Sequence, residues 1–178
     1  MLTWVVVTGP AGRPAPGRDR PVDFRPMGRP ISRFPRRRLA IVTCMDCRID
    51  PAAAAGIELG DAHVIRNAGA VVTADVRRSL ALSQRALRTD EVWIVMHTEC
   101  GALGLDDREF LDGIEAETGI RPDWVPGGFE SLESGVREGV ERVRDDPALI
   151  AATVRGFVLD VETGAMTEID ADVRDPAR

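Results

Sequence analysis

The sequence contains no lysine and no tyrosine, so all 23 of its basic residues are arginine. Together with abundant alanine, this bias indicates codon usage in GC-rich DNA rather than a functional adaptation. No run of about 18 apolar residues is present, so the sequence predicts no membrane-spanning helix and no membrane partner. The opening segment has neither a basic leader nor the usual small-residue cleavage site, and we therefore predict a cytoplasmic protein.

The net charge is negative and cysteine is scarce, and each observation argues against a class of protein. The formal net charge is −6, whereas a general nucleic-acid-binding protein needs a basic surface to displace counterions from phosphate. We therefore predict no nucleic-acid partner. The three cysteines are an odd number, which fits metal binding or thiol reactivity better than a disulfide framework.

Two regions differ in composition. Residues 1–38 form a Pro/Arg-rich arm. Residues 9–38 hold seven of the twelve prolines of the chain, and neither a helical nor a strand period is present. We predict that this arm is poorly ordered or draped on a partner subunit. Residues 39–178 have the size and apolar content of one globular domain.

Within the domain, strand patterns alternate with helix patterns. Apolar runs of strand length occur at LAIVTC, AHVIRN, EVWIVMH and VRGFVLDV, and a short last strand follows at MTEI. Helices are predicted after the capping residues Asp50 and Thr73, and over residues 106–117 and 130–144. The alternation predicts an α/β fold: a mainly parallel four-stranded sheet with an additional short C-terminal strand and helices on both faces.

Two loops that follow predicted strands hold all three cysteines. The first strand ends at Cys44, with Asp46 and Arg48 just beyond it, and the third strand ends at His97, with Cys100 three residues later. In open α/β sheets, ligands bind beyond the carboxyl ends of the strands, where the winding direction changes. Thiolate and imidazole are ligands that zinc prefers, so the two cysteines and the histidine form a candidate Zn²⁺ site.

The fourth zinc position distinguishes a structural site from a catalytic one. Cys47 in that position would give a closed Cys₃His site, whereas water would give a catalytic site. We favour water because, while the backbone stays extended, Cys44, Asp46 and Arg48 share one side of the chain and Cys47 packs behind the site. The alternative of a thiol redox pair, Cys44-x-x-Cys47, is less favoured. Such a pair would normally open a helix, where the dipole lowers a thiol pKa, but Pro51 places the helix start several residues later.

Several stretches resemble the β-class carbonic anhydrases: CMDCRIDP, GDAHVIRNAGAVVT, RSLALSQ, HTECGAL and the closing RGFVLDVETG. The resemblance extends over residues 39 to about 169. Carried over residue by residue, it implies that Cys44, His97 and Cys100 bind Zn²⁺. It also implies that Asp46 and Arg48 form the catalytic dyad.

The resemblance implies reversible hydration of carbon dioxide to bicarbonate and a proton, through a zinc-bound hydroxide that the Asp46–Arg48 pair orients. Related sites hydrolyse carbonyl sulfide or carbon disulfide, so these substrates remain alternatives. In members of this family the aspartate can leave its arginine and take the fourth zinc position, which would make Asp46 a ligand in a closed state. A homodimer, or a tetramer, is also implied.

Three residues near these motifs are interpreted as non-catalytic. Cys47 stands where the family usually has a small Ser or Ala. Glu99 is expected to be an exposed or interface charge. His63 begins a strand and is expected to have a packing or surface role rather than to carry protons.

Overall fold

The protein is described by a computed structural model over residues 31–150 and 153–171. The predicted arm over residues 1–38 therefore lies largely outside the described residues. Its last part, residues 31–38, contains no helix or strand. The described residues belong to one unit, Ile31–Arg178.

A five-stranded sheet, ordered β2-β1-β3-β4-β5, forms the centre of the fold. Its strands are β1 (Leu39–Cys44), β2 (Ala62–Asn67), β3 (Glu91–His97), β4 (Thr153–Leu159) and β5 (Met166–Ile169). The first four strands are parallel, and β5 runs antiparallel to β4. The predicted α/β class, with a mainly parallel sheet and a short last strand, is confirmed.

In the part of the chain that the structure describes, four α-helices connect or flank the strands: α1 (Pro51–Ala54), α2 (Ala74–Leu87), α3 (Asp107–Thr118) and α4 (Leu132–Arg144). The predicted caps are confirmed, because the side chains of Asp50 and Thr73 accept hydrogen bonds from backbone N–H groups in the first turns of α1 and α2. Among the described residues, no helix is long and apolar enough to cross a membrane.

The strand order reverses the winding direction at β1. From β1 the chain crosses to one side to form β2, and then returns past β1 to form β3 and β4. Right-handed crossovers consequently place α1 on one face of the sheet and α2 and α4 on the other. The reversal leaves a crevice at the carboxyl ends of β1 and β3, where ligands bind in sheets of this kind.

Helix α4 approaches the sheet closely because glycines stand where the two layers meet. A Cβ atom on Gly139 would lie 3.0 Å from Ile94 of β3, and one on Gly156 of β4 would clash with Val136 of α4. Val136 and Val140 of α4, which face this region, are fully buried. The close contact fixes β3 and β4 under the helix and so stabilises the strand that ends at the crevice.

We predict that Gly156→Ala destabilises the protein by about 1–3 kcal/mol, because the added methyl group would overpack a β-branched side chain on α4. Gly113→Ala is a matched control on exposed α3, where an added Cβ would meet nothing within 4 Å. The control should stabilise the protein by about 0.5–1 kcal/mol through helix propensity. Urea unfolding measures both changes, and equal effects would contradict the packing described.

Candidate metal centre

Three potential metal ligands converge at the crevice. Cys44 is the last residue of β1 and His97 the last residue of β3, and Cys100 follows in the turn after β3. All three are buried, and their ligand atoms lie within 4.8 Å of one another. The structure thus brings together the residues that the two motifs predicted.

His97 presents one ring nitrogen without a protein partner. Its Nδ1 lies 2.8 Å from the backbone carbonyl oxygen of Thr98, to which it donates a hydrogen bond in the neutral ring. Its buried Nε2 has no hydrogen-bond partner among the described residues. A buried polar atom left in this state is costly, and a metal ion bound to the Nε2 lone pair would satisfy it.

The two thiols have the spacing that a zinc ion requires. The Sγ atoms of Cys44 and Cys100 are 3.9 Å apart. Two thiolates on a tetrahedral zinc ion, each at about 2.3 Å, would be about 3.8 Å apart. The donor types and the spacing of the two sulfur atoms therefore fit zinc.

Hydrogen bonds prepare Cys44 to lose its proton. The Cys100 thiol lowers the pKa of Cys44 most, and His97 and the backbone N–H groups of Asp46 and Gly69 lower it further, against the opposing effect of burial. The same interaction with Cys44 raises the pKa of Cys100. One thiolate is therefore already favoured in the metal-free protein.

Gly69 supplies its N–H group from a backbone conformation that favours glycine. Its φ angle is 74°, in the left-handed region, and a Cβ atom here would lie 2.9 Å from the Cβ of Ala102. The RNAG motif that contains Gly69 was noted in the sequence, but a role for its glycine was missed. A glycine between a strand and a following helix was the available signal.

Asp46 and Arg48 form the predicted pair, with two parallel hydrogen bonds. Arg48 Nε donates to Asp46 Oδ1 at 3.0 Å, and Arg48 Nη2 donates to Asp46 Oδ2 at 2.9 Å. These bonds from Arg48 hold the pKa of Asp46 well below its usual range, so the carboxylate stays ionised. Asp46 Oδ2 lies 3.8 Å from His97 Nε2, beside the candidate metal position.

The backbone that carries this pair is a turn rather than the predicted extended strand. The chain turns at residues 47 and 48, and the Arg48 backbone N–H donates to Asp46 Oδ1 at 2.9 Å. Local side-chain bonding of this type competes with strand geometry. Side-chain alternation along an extended strand thus predicted the Asp46–Arg48 pair, but a turn and not an extended strand brings the two residues together.

The predicted position of Cys47 is wrong. We expected Cys47 to pack behind the site, but it is exposed, because the turn directs it towards solvent. It does not belong to the cluster of buried donors. This position weighs against both the Cys₃His site and the Cys44-x-x-Cys47 redox pair, since Cys44 itself is buried.

Two further residues support the loop after β1, and the sequence did not reveal either role. Arg66 of β2 donates to the carbonyl oxygens of Cys44 at 2.9 Å and Asp46 at 2.7 Å. Glu99 was expected only to be an exposed or interface charge, but its carboxylate accepts from Arg48 Nη1 at 2.6 Å. Arg66 is the first residue of the RNAG stretch, residues 66–69, which was its only visible signal.

His63 lies away from this centre, as expected for a packing residue. It stands four residues before the end of β2, about 13 Å along the strand. Its Nδ1 is 2.7 Å from the hydroxyl oxygen of Ser83 on α2. This contact links the strand to the helix, away from the cluster at the carboxyl end.

The fold is a mixed α/β structure, and its crevice holds a cluster of residues that could bind a metal ion. Residues 39–166 match the family model described as carbonic anhydrase. Beta-carbonic anhydrase 1 of Mycobacterium tuberculosis (strain ATCC 25618 / H37Rv) is 47% identical over 141 residues, which are 79% of this chain and 86% of the relative. Carbon disulfide hydrolase of Acidianus sp. (strain A1-3) is 34% identical over 154 residues, covering 71% of this chain and 74% of the relative.

A solved structure agrees with these sequence matches. The crystal structure of carbonic anhydrase from Streptococcus mutans superimposes with a TM-score of 0.76 and 37% identity, covering 80% of this chain and 87% of that one. The chain belongs to the β-carbonic anhydrase family.

We predict that Cys47→Ser leaves the zinc content of the purified protein unchanged, because Cys47 is exposed and outside the donor cluster. Cys44→Ser, the matched variant within the cluster, should lose zinc. Metal analysis of both proteins measures the difference. Loss of zinc from Cys47→Ser would instead support the Cys₃His site.

Zinc affinity is expected to increase with pH. The neighbouring Cys44 raises the pKa of His97, so in the metal-free protein a proton competes with the metal for its ring over a wider pH range. The raised pKa of the Cys100 thiol acts in the same direction. Competition with a zinc chelator from about pH 6 to about pH 8 tests this, and a pH-independent affinity would contradict it.

Proposed function

We propose that the protein catalyses the reversible hydration of carbon dioxide to bicarbonate and a proton, with zinc held by Cys44, His97 and Cys100. Membership of the β-carbonic anhydrase family supports the reaction class. The observation that carries the proposal is the ionised Asp46 carboxylate, fixed by Arg48 within 3.8 Å of the unpartnered His97 nitrogen. A purely structural site has no use for such a pair.

Bound zinc would lower the pKa of a coordinated water to about 7 and so supply a nucleophile at neutral pH. Cys44, His97 and Cys100 would hold the ion, and the Asp46 carboxylate would lie beside it. Because the Asp46 carboxylate is ionised, it can only accept a hydrogen bond from the attacking oxygen. This bond directs a lone pair of that oxygen towards the carbon atom of carbon dioxide.

Arg48 acts through Asp46. Its two parallel hydrogen bonds fix the plane of the carboxylate, and its positive charge keeps that carboxylate from taking a proton. The proton released in each cycle passes to buffer, since His63 lies at the other end of β2 and the sequence contains no third histidine.

A closed state is the second part of the proposal. If Asp46 leaves Arg48, its carboxylate can move the short distance to the fourth zinc position and exclude the nucleophile. The 3.8 Å separation between Asp46 Oδ2 and His97 Nε2 supports such a movement. The described pairing of Asp46 with Arg48 corresponds to the open arrangement.

Hydrolysis of carbonyl sulfide or carbon disulfide is the alternative activity. The observation that favours it is the likeness to carbon disulfide hydrolase over 71% of this chain. Carbon dioxide remains the preferred substrate because the identity to the mycobacterial β-carbonic anhydrase is higher, at 47% over 141 residues.

We also propose a homodimer, with a tetramer as the alternative. Strand β2 is an edge of the described sheet, and its Val64 side chain is exposed. A half-exposed apolar edge strand is the kind of surface that a second subunit covers.

We predict that Asp46→Asn lowers kcat for carbon dioxide hydration by about a hundredfold or more, because an amide cannot replace the ionised acceptor. Asp90→Asn is a matched control: Asp90 also pairs with an arginine, Arg38, at 2.7 Å, but at the amino end of β3. Stopped-flow assays of both zinc-loaded variants measure the difference.

The same assays test the substrate. Wild type should hydrate carbon dioxide, and the Asp90→Asn control should match it. If the wild type hydrolyses carbon disulfide or carbonyl sulfide and leaves carbon dioxide unchanged, the alternative activity is correct. If neither Asp46→Asn nor the control changes the rate, the proposed role of Asp46 is wrong.

A further inference from the structure

The Arg48 guanidinium is held from two sides. Asp46 accepts from Nε and Nη2, as described above. Glu99 holds the other side, where its carboxylate Oε2 accepts from Nη1 at 2.6 Å and its backbone carbonyl oxygen accepts from Nη2 at 3.0 Å. Four hydrogen bonds therefore fix the orientation of one planar group.

These bonds join the two loops that carry the metal ligands. Arg48 lies in the loop after β1, and Glu99 lies between His97 and Cys100 in the loop after β3. The Arg48–Glu99 contact consequently links the dyad directly to the segment that holds two of the three candidate ligands. A shift of either loop would be transmitted to the guanidinium.

The backbone of Glu99 adopts a conformation that side chains rarely favour. Its φ angle is 56°, in the left-handed region. This conformation directs the Glu99 carbonyl oxygen at Arg48 Nη2. Strain of this type persists where the surrounding structure imposes it, and it concentrates at functional sites.

The exposure of Arg48 and Glu99 argues against a stabilising role for their contact and is compatible with a positioning role. The side chains of Arg48 and Glu99 are 44% and 58% exposed, whereas that of Asp46 is 18% exposed. Ion pairs that are this exposed contribute little to stability, because water and side-chain entropy offset the attraction. The contact can still select one orientation of the guanidinium from those that water would otherwise permit.

We propose that Glu99 is a positioning residue that holds Arg48 in the orientation required to bind Asp46 through two parallel hydrogen bonds. This inference rests on the proposed function for its effect on rate, but its effect on Arg48 itself does not require that function. Glu99 touches neither the reacting atoms nor the metal in this role. It acts on catalysis only through Arg48 and then Asp46.

Two variants of the same length test the role of the carboxylate. Glu99→Met removes both carboxylate oxygens and leaves only a weakly accepting sulfur, and Glu99→Gln retains a neutral oxygen acceptor that can still receive the bond from Nη1. Misplacing a positioning group costs rate, so we expect Glu99→Met to lower kcat by about tenfold. Glu99→Gln should recover most of that loss. Both variants should keep zinc and melt close to the wild-type temperature.

Two controls test whether Glu99 affects catalysis through Arg48. Glu117→Met makes the same substitution at an exposed position on α3 and should leave kcat unchanged. In an Arg48→Met background, Glu99→Met should have no further effect on kcat, because its target is gone. An undiminished effect in that background would show that Glu99 acts directly on the metal site, and would overturn the proposal.

A measurement on the metal-free protein keeps this test separate from the activity. Hydrogen exchange at the Arg48 Nε–H group, assigned by its absence from the NMR spectrum of Arg48→Met, should be faster in Glu99→Met than in wild type. Unchanged exchange would overturn the positioning role. If exchange accelerates but the wild type hydrates no carbon dioxide, the proposed function fails and the positioning role stands.

Discussion

The parallel pairing of β1 with β3 is the constraint on which the rest of the site depends. Residues 39–43 pair with residues 91–95, so both strands end at the same edge of the sheet. The fully buried Thr43 strengthens this register, because its hydroxyl donates to the carbonyl oxygen of Val95 at 2.9 Å. Cys44 and His97 follow as the terminal residues of two adjacent strands. A one-residue slip would displace one ligand by about 3.3 Å relative to the other.

Electrostatic interactions stabilise the charged groups that the sheet places at this edge. The sheet edge gathers groups that would otherwise repel one another, a thiolate and two carboxylates, within a small volume. Backbone N–H groups stabilise Cys44, and Arg48 stands between Asp46 and Glu99. Arg66 binds carbonyl oxygens of the same loop, so a second guanidinium restrains the backbone that carries the dyad. Cys44 and Asp46 can therefore stay ionised close to the candidate metal position.

Much of this arrangement could be predicted from the sequence, because it depends on local patterns. Apolar runs of strand length and capping residues such as Asp50 predicted the elements to within one or two residues. The rule that ligands bind at the carboxyl ends of strands predicted that the two cysteine loops would meet. The turn at Cys47 could not be predicted by alternation, since a hydrogen bond from the Arg48 backbone to Asp46 decides it.

The roles of Arg66 and Glu99 could not be predicted for a different reason. Arg66 and Glu99 act through contacts that span 20 and 51 positions of the chain, and the first of them reaches backbone carbonyls rather than side chains. No spacing within a motif records such contacts. They depend on how the loop after β1 lies against β2 and against the loop after β3, which is a tertiary property.

The donor set is the central claim, and X-ray absorption at the zinc edge tests it most directly. For the zinc-loaded protein the account predicts two sulfur donors, one imidazole nitrogen and one oxygen. That result holds whether the oxygen belongs to water or to Asp46. Three sulfur donors and one nitrogen would place Cys47 on the metal and contradict the account.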